Sequence, residues 1–123
     1  MDWTRRGAGA KTMDLVSGYQ EFVKSVVDAT GWPDTILHIH AGLGIFLCAH
    51  LLFRRSRSLM FPLFVTLLME LGNETLDWLY YGSPRWSDTL PDILHTMFWP
   101  VMLTFVLRAA APFRVERRRM ARS

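Results

Sequence analysis

The segment LMFPLFVTLLMELGNETLDWLYY, residues 59–81, decides the fold of this chain. Its first half is apolar apart from Thr66, and about 20 such residues cross the hydrocarbon core of a bilayer as a helix. Its second half carries four polar side chains, followed by aromatic residues typical of a membrane–water boundary. The four are Glu70, Asn73, Glu74 and Asp77. The pattern predicts a transmembrane helix that is polar in its C-terminal half.

Two further apolar segments flank this one, at residues 35–53 and 90–107. Both have close to the length that crosses a bilayer, and Gly42 and Gly44 in the first permit close helix approach. Residues 13–31 instead place apolar and charged side chains on opposite faces, as in a helix that lies in the membrane interface. Gly31 is its predicted end. The sequence therefore predicts an all-α fold of three transmembrane helices plus an N-terminal amphipathic interfacial helix.

The distribution of basic residues orients these helices. The connection after the first span holds three arginines and the segment from residue 108 onward holds six, whereas the second connection has only Arg85. Because basic residues stay on the cytoplasmic side, the C-terminus is predicted to be cytoplasmic and the N-terminal helix to lie outside. Arg5, Arg6 and Lys11 count against this placement. Since the arginines adjoin apolar segments, the expected partner is the lipid bilayer and not nucleic acid.

The changes in composition divide the 123 residues into four parts. We expect residues 1–12 to be a mobile basic tail, and residues 13–31 to be the amphipathic helix. Residues 35–108 are the three-span membrane domain, and residues 109–123 are a basic cytoplasmic tail. One domain is what this length accommodates.

The polar residues of the second and third spans are predicted to share one face of each helix. At about 100° per residue, the four polar residues of the second span fall within about 100° of arc. On the third span Asp88, Asp92, His95 and Trp99 form a similar stripe. His38 and His40 of the first span differ by about 200°, so at most one of them can face the same interior, and His38 is the candidate.

These residues lack counter-charges. Glu70 is predicted near mid-bilayer, where a charge costs about 2.5–3.5 kcal/mol. Residues 66–96 contain five carboxylates and a single basic residue, Arg85. Shared protons, a bound cation or a cationic ligand would balance them. The predicted ligand-binding residues are Glu70, Asn73, Glu74, Asp77, Asp88, Asp92 and His95, and the candidate metal ligands are Glu74, Asp92, His95 and His38.

Structural roles compete with this interpretation. Thr89 and Asp92 have the spacing of a capping box, and Asp77 is close enough to the boundary to be solvated. A divalent metal is the candidate cofactor; haem is less favoured because only His38 and His95 could supply axial ligands. The chain has no HExxH, CxxC or P-loop motif, so no reaction is assigned and a non-catalytic role is favoured.

The run ELGNETLDW at residues 70–78, followed by WSDTLPDI at residues 86–93, resembles VanZ-like membrane proteins. The resemblance covers about residues 66–100 and implies an envelope-related protein of the bacterial inner membrane. It assigns the site to Glu70 or Glu74 together with Asp88 and Asp92. The chain lacks the glutamine expected soon after the glutamate and the asparagine expected after the final aspartate.

Three interpretations of function follow. The first is a VanZ-like protein whose intramembrane pocket of acidic residues and histidine binds a cation or a polar lipid head group. The second is a non-catalytic accessory or assembly subunit of a larger membrane complex. The third is a metal-dependent membrane hydrolase. Because three spans are few for a self-sufficient pocket, we expect a homo-oligomer or association with other membrane subunits.

Overall fold

The computed structural model describes residues 3–54 and 58–120. Within them the chain forms four helices and no strand: α1 Trp3–Thr30, α2 Asp34–Leu52, α3 Met60–Tyr81 and α4 Trp86–Met120. The all-α prediction is confirmed. Arg55, Arg57 and Arg122, which contribute to the predicted orientation, lie outside the described residues.

The ends of α1 and α4 differ from the sequence expectation. Helix α1 begins at Trp3, so residues 3–12 are helical where the composition predicts a mobile tail. Helix α4 continues to Met120 through most of the predicted basic tail. Alanine, lysine and arginine have high helix propensity, and the charges of lysine and arginine do not end a helix. The predicted stop at Gly31 is confirmed: its φ is 65° and its N–H bonds the Val27 carbonyl at 2.8 Å.

Among the described residues, two helices, and not the predicted three, are long and apolar enough to cross a membrane. They are α2 over Asp34–Leu52 and α4 over Trp86–Ala111. Helix α3 has the length, at 22 residues, but its second half contains Glu70, Glu74 and Asp77. Three carboxylates on one helix oppose its insertion unless neighbouring helices cover them.

Helices α2, α3 and α4 pack against one another, and α1 lies on α3. Gly42 allows the closest approach, between α2 and α4. A Cβ placed on it would lie 2.8 Å from the Thr96 carbonyl carbon and nearer still to the carbonyl oxygen. Gly44 faces open space, so only one of the two glycines serves the close packing within the bundle.

The centre of the bundle contains several hydroxyl groups. Thr66, Thr96 and Thr104 are buried beside Phe46 and Ala49. The Thr66 hydroxyl donates to the Pro62 carbonyl at 2.9 Å and the Thr104 hydroxyl to the Pro100 carbonyl at 2.8 Å. These carbonyls lie four residues earlier on the same helix, so both hydroxyls are satisfied without water. Many large apolar side chains are instead exposed on the outside of the bundle, among them Phe64, Leu94 and Phe105.

Candidate functional site

The polar residues of α2, α3 and α4 meet at one end of the bundle, which we call the polar end. Helix α3 stops at Gly82, whose φ is 72° and whose N–H bonds the Trp78 carbonyl at 2.8 Å. Helix α4 begins only a few residues later, at Trp86. This short hairpin brings the C-terminal half of α3 beside the first turns of α4, and α2 begins at the same end with Asp34.

His38 lies at the centre of the polar end. Its Nε2 is 3.6 Å from Asp34 Oδ2 and 3.8 Å from Asp92 Oδ2. Its Nδ1 is 3.2 Å from Glu70 Oε1 and 3.1 Å from Thr96 Oγ1. One imidazole, whose side chain is only 13% exposed, therefore contacts carboxylates of α2, α3 and α4.

The two histidines at the start of α2 have different surroundings, as their spacing predicts. The His40 Nδ1 lies 2.8 Å from the carbonyl of Ile36 in its own helix. Its ring lies 5.0 Å from that of Trp32, centroid to centroid. His40 is exposed. The prediction that His38 alone faces the interior is confirmed.

Several buried polar atoms at the polar end have no hydrogen-bond partner among the residues that the structure describes. They are Glu70 Oε1, Glu74 Oε1 and His95 Nδ1. The Glu70 side chain is 6% exposed, and its oxygen approaches His38 without forming a hydrogen bond. An unsatisfied buried group costs about 1–3 kcal/mol, and more when it is charged. These atoms mark positions where a bound ligand would be stabilised.

Helix α1 contributes two side chains to this end. The Tyr19 hydroxyl donates to Asn73 Oδ1, and Gln20 Nε2 donates to Asp77 Oδ1. Burial raises the pKa of the Tyr19 hydroxyl above its ordinary value, and the charge of Asp77 adds to the shift. The hydroxyl therefore stays protonated and remains a donor near neutral pH.

At least three cavities in the described part of the chain open at the polar end, and one of about 480 Å³ includes His38, Glu70 and Asn73 in its lining. Of the other two, the first, of about 420 Å³, lies between α1 and the other helices, and its lining includes Asp34, His38, Asp77, Asp92 and His95. The second, of about 380 Å³, lies at the α3–α4 hairpin, and its lining includes Glu74, Trp78, Asp88 and Trp86. Both are lined by carboxylates.

The one basic residue of the hairpin is already engaged. Arg85 pairs with Asp88 three residues later. Its guanidinium also lies over the ring of Tyr81, 4.6 Å from the centroid, a favourable cation–π distance. The positive charge of Arg85 is therefore engaged by Asp88 and Tyr81, although Arg85 also lines the first cavity together with His38.

The seven residues predicted to bind a ligand lie together around the polar end, but they have different partners. Asn73 and Asp77 bond to α1, Asp88 pairs with Arg85, and Glu70 and Asp92 contact His38. Of the predicted metal ligands, His38 and Asp92 join Asp34 in a group whose donor atoms all lie within 4.8 Å of one another. Glu74 and His95 lie outside that group.

Two residues of the cluster were missed by the sequence argument. Asp34 was not among the predicted site residues, yet it lies in the first turn of α2 and approaches His38 four residues later. The separation of four residues places Asp34 and His38 on the same face of a helix, and this was the signal in the sequence that could have identified Asp34. Thr96 is buried on α4, whereas Trp99, which was placed on the polar stripe, is 45% exposed. Thr89 and Asp92 lie inside α4, because the helix begins at Trp86, so they do not form its predicted capping box.

Comparison with known proteins gives no match to a family model, a curated protein or a solved structure. The fold and site define an all-helical protein that has two candidate membrane-spanning helices and a carboxylate–histidine cluster at one end.

Proposed function

We propose that this chain is a small integral membrane protein with three spans, α2, α3 and α4, whose polar end binds a cation or a cationic lipid head group. The observation that carries the proposal is the burial of Glu70 Oε1 and Glu74 Oε1, which have no hydrogen-bond partner among the described residues, beside further carboxylates. A cation would satisfy these oxygens and balance the charge.

The third span is supported by the way α3 is covered. Glu70 is 5% exposed, so α2 and α4 shield the carboxylate that lies deepest along the helix. The side chains of α3 that face outward are apolar, and Phe64, Leu68 and Met69 are all more than half exposed. A helix with this arrangement presents hydrocarbon to lipid and carboxylates to its protein neighbours.

The orientation is supported by charge segregation along the bundle. Carboxylates lie at the polar end, whereas Arg108 lies at the opposite end, where its Nη1 contacts Met60 Sδ at 3.4 Å. Arg54 also lies at that end, just after α2. Under the positive-inside rule this end is cytoplasmic, so the polar end and α1 face outward.

Cysteine labelling tests the third span. In a Cys48→Ser background, Ser83→Cys is expected to react with a membrane-impermeant maleimide in intact cells. Ser58→Cys is expected to react only after the membrane is permeabilised, because α3 separates the two positions. Labelling of both positions from the same side would contradict the three-span arrangement.

The excess of negative charge at the polar end supports a cationic ligand. His38 can contribute one positive charge when protonated, but it faces Asp34, Glu70 and Asp92 together. Arg85 is paired with Asp88. The remaining carboxylates attract cations in a setting where lipid and protein reduce screening.

Glu74→Gln tests the pocket itself. Removing one half-buried carboxylate from the bundle lowers the cost of insertion, so the variant is expected to insert and assemble as the unmodified protein does. It is expected to lose the small cationic species that the unmodified protein retains in a native mass spectrum. Glu21→Gln makes the same chemical change on an exposed part of α1 and should retain that species. Equal retention in both variants would contradict the role of Glu74.

A second candidate function, as an accessory subunit, is favoured by the outer face of α2. Gly44, Leu47, Cys48 and Leu51 are exposed at helical spacing, and nothing contacts Gly44. A small residue within an apolar stripe is where another membrane helix can approach closely.

A VanZ-like assignment stays part of the proposal, since the residues that carry the resemblance all lie at the polar end.

A further inference from the structure

Three donor atoms converge at the polar end with metal-site spacing. His38 Nε2 is 3.6 Å from Asp34 Oδ2 and 3.8 Å from Asp92 Oδ2, and all three atoms lie within 4.8 Å of one another. Ligand atoms about 2.0–2.2 Å from a tetrahedral zinc ion lie about 3.3–3.6 Å apart. Small side-chain movements would therefore close this group around an ion.

A second observation concerns Glu70, which lies outside the group of three donors but contacts His38. Its side chain is 6% exposed, and its Oε1 lies 3.2 Å from His38 Nδ1, the nitrogen on the other side of the ring. That oxygen has no hydrogen-bond partner. A metal on Nε2 would hold the tautomer with its proton on Nδ1, and that N–H would face both Glu70 Oε1 and Thr96 Oγ1, which lies 3.1 Å away. Carboxylate–histidine–metal arrangements of this kind orient the ring and increase its basicity as a ligand.

The donor set indicates the class of metal. Hard cations such as Mg²⁺ and Ca²⁺ prefer oxygen ligands and seldom take an imidazole. One imidazole with two carboxylates suits a divalent transition metal such as zinc. Two carboxylate ligands with a neutral imidazole balance the charge of a divalent ion. The Asp34 side chain is 64% exposed, which gives an ion access from the aqueous side.

We propose that Asp34, His38 and Asp92 bind a divalent transition-metal ion, and that Glu70 orients His38 for this purpose. The proposal rests on the cation-binding function above and names the cation; Glu74 lies outside this group of donors and would act on the ion only through its charge. Three protein donors leave at least one coordination position for water or for an oxygen of another ligand.

Zinc titration of the purified full-length protein tests the site. The protein is stripped with a chelator in mild detergent, desalted and titrated with zinc chloride, and with magnesium chloride in parallel. We expect about one zinc ion per chain and much weaker binding of magnesium. His38→Gln and Asp34→Asn should each weaken zinc binding at least about tenfold.

Matched controls lie on the same helices or at the same surface. His40→Gln removes an exposed imidazole two residues from His38, and Asp28→Asn removes an exposed carboxylate of α1. Both should bind zinc as the unmodified protein does. If His38→Gln fails to fold, Asp34→Asn decides, because Asp34 is largely exposed.

Unchanged zinc affinity in His38→Gln and Asp34→Asn would overturn the metal assignment. Equal losses of zinc affinity in His40→Gln and Asp28→Asn would also overturn the metal assignment. A protein that takes up no zinc but retains an amine-bearing lipid in a native mass spectrum would also overturn it, while leaving the cation pocket in place. A protein that retains neither would contradict both proposals.

Discussion

Gly42→Ala is expected to lower the stability of the helical bundle markedly. The added methyl group would overlap the backbone carbonyl of Thr96, with 2.8 Å to its carbon and less to its oxygen. A backbone carbonyl cannot rotate away as a side chain can, so α2 and α4 must separate. Overpacking of this kind costs about 1–3 kcal/mol and sometimes more, and the backbone contact places this substitution at the upper end. Thermal unfolding in mild detergent measures the effect.

Gly44→Ala is the matched control, two residues further along the same helix. It gains the same methyl group in open space, and alanine favours helix over glycine by about 1 kcal/mol. Its unfolding temperature should therefore equal or exceed that of the unmodified protein. If both variants unfold at the same temperature, α2 and α4 do not pack through Gly42.

Glu70→Ala is expected to weaken zinc binding about 10- to 100-fold, the usual cost of losing a group that orients a metal-binding histidine. Glu70 is not among the three proposed ligands, so the loss would act through the orientation of His38. The variant also leaves a space beside His38 Nδ1, from which Glu70 Oε1 lies 3.2 Å. Zinc titration of the chelator-stripped protein measures the change.

Glu70→Gln separates orientation from simple loss of packing. Its amide oxygen can accept a hydrogen bond from His38 Nδ1 in nearly the same place, so most of the affinity should return. Zinc affinity that is equally low in the Gln and Ala variants would show that the charge of Glu70, and not its position, matters. Affinity that is unchanged in both would remove Glu70 from the site.

The helices of this chain could be predicted because their signals are local. Apolar segments of the right length, the stop at Gly31 and the turn at Gly82 all act over a few residues. The extent of α1 and α4 could not be predicted in the same way. Basic segments containing alanine and glycine are compatible with either a tail or a helix, and continuity with a neighbouring helix decides between them.

Composition alone does not decide whether α3 spans a membrane. Its apolar first half predicts a span, while Glu70, Glu74 and Asp77 take it outside the composition of an ordinary membrane helix. Whether α3 spans a membrane depends on whether α2 and α4 cover the carboxylates. That is a property of the packed bundle and not of residues 59–81.

The region of the site could be predicted from the sequence, but the contacts within it could not. Helical spacing places the carboxylates of α3 and α4 on facing sides, and it separates His38 from His40. It does not give the relative depth of two helices, that is, their relative position along the bundle axis. That position places His38 at the centre of the cluster and His95 beside the cavity of about 420 Å³. The close approach at Gly42 sets that depth, because it fixes α2 against Thr96.

A native mass spectrum of the unmodified protein, extracted from its own membrane in mild detergent, tests the central claim most directly. The claim is that the polar end holds a cationic ligand. The spectrum should show this chain, alone or self-associated, carrying the mass of a metal ion or an amine-bearing lipid. A fixed stoichiometry with other polypeptides and no small ligand would contradict it, and would make the carboxylates part of an interface with those subunits.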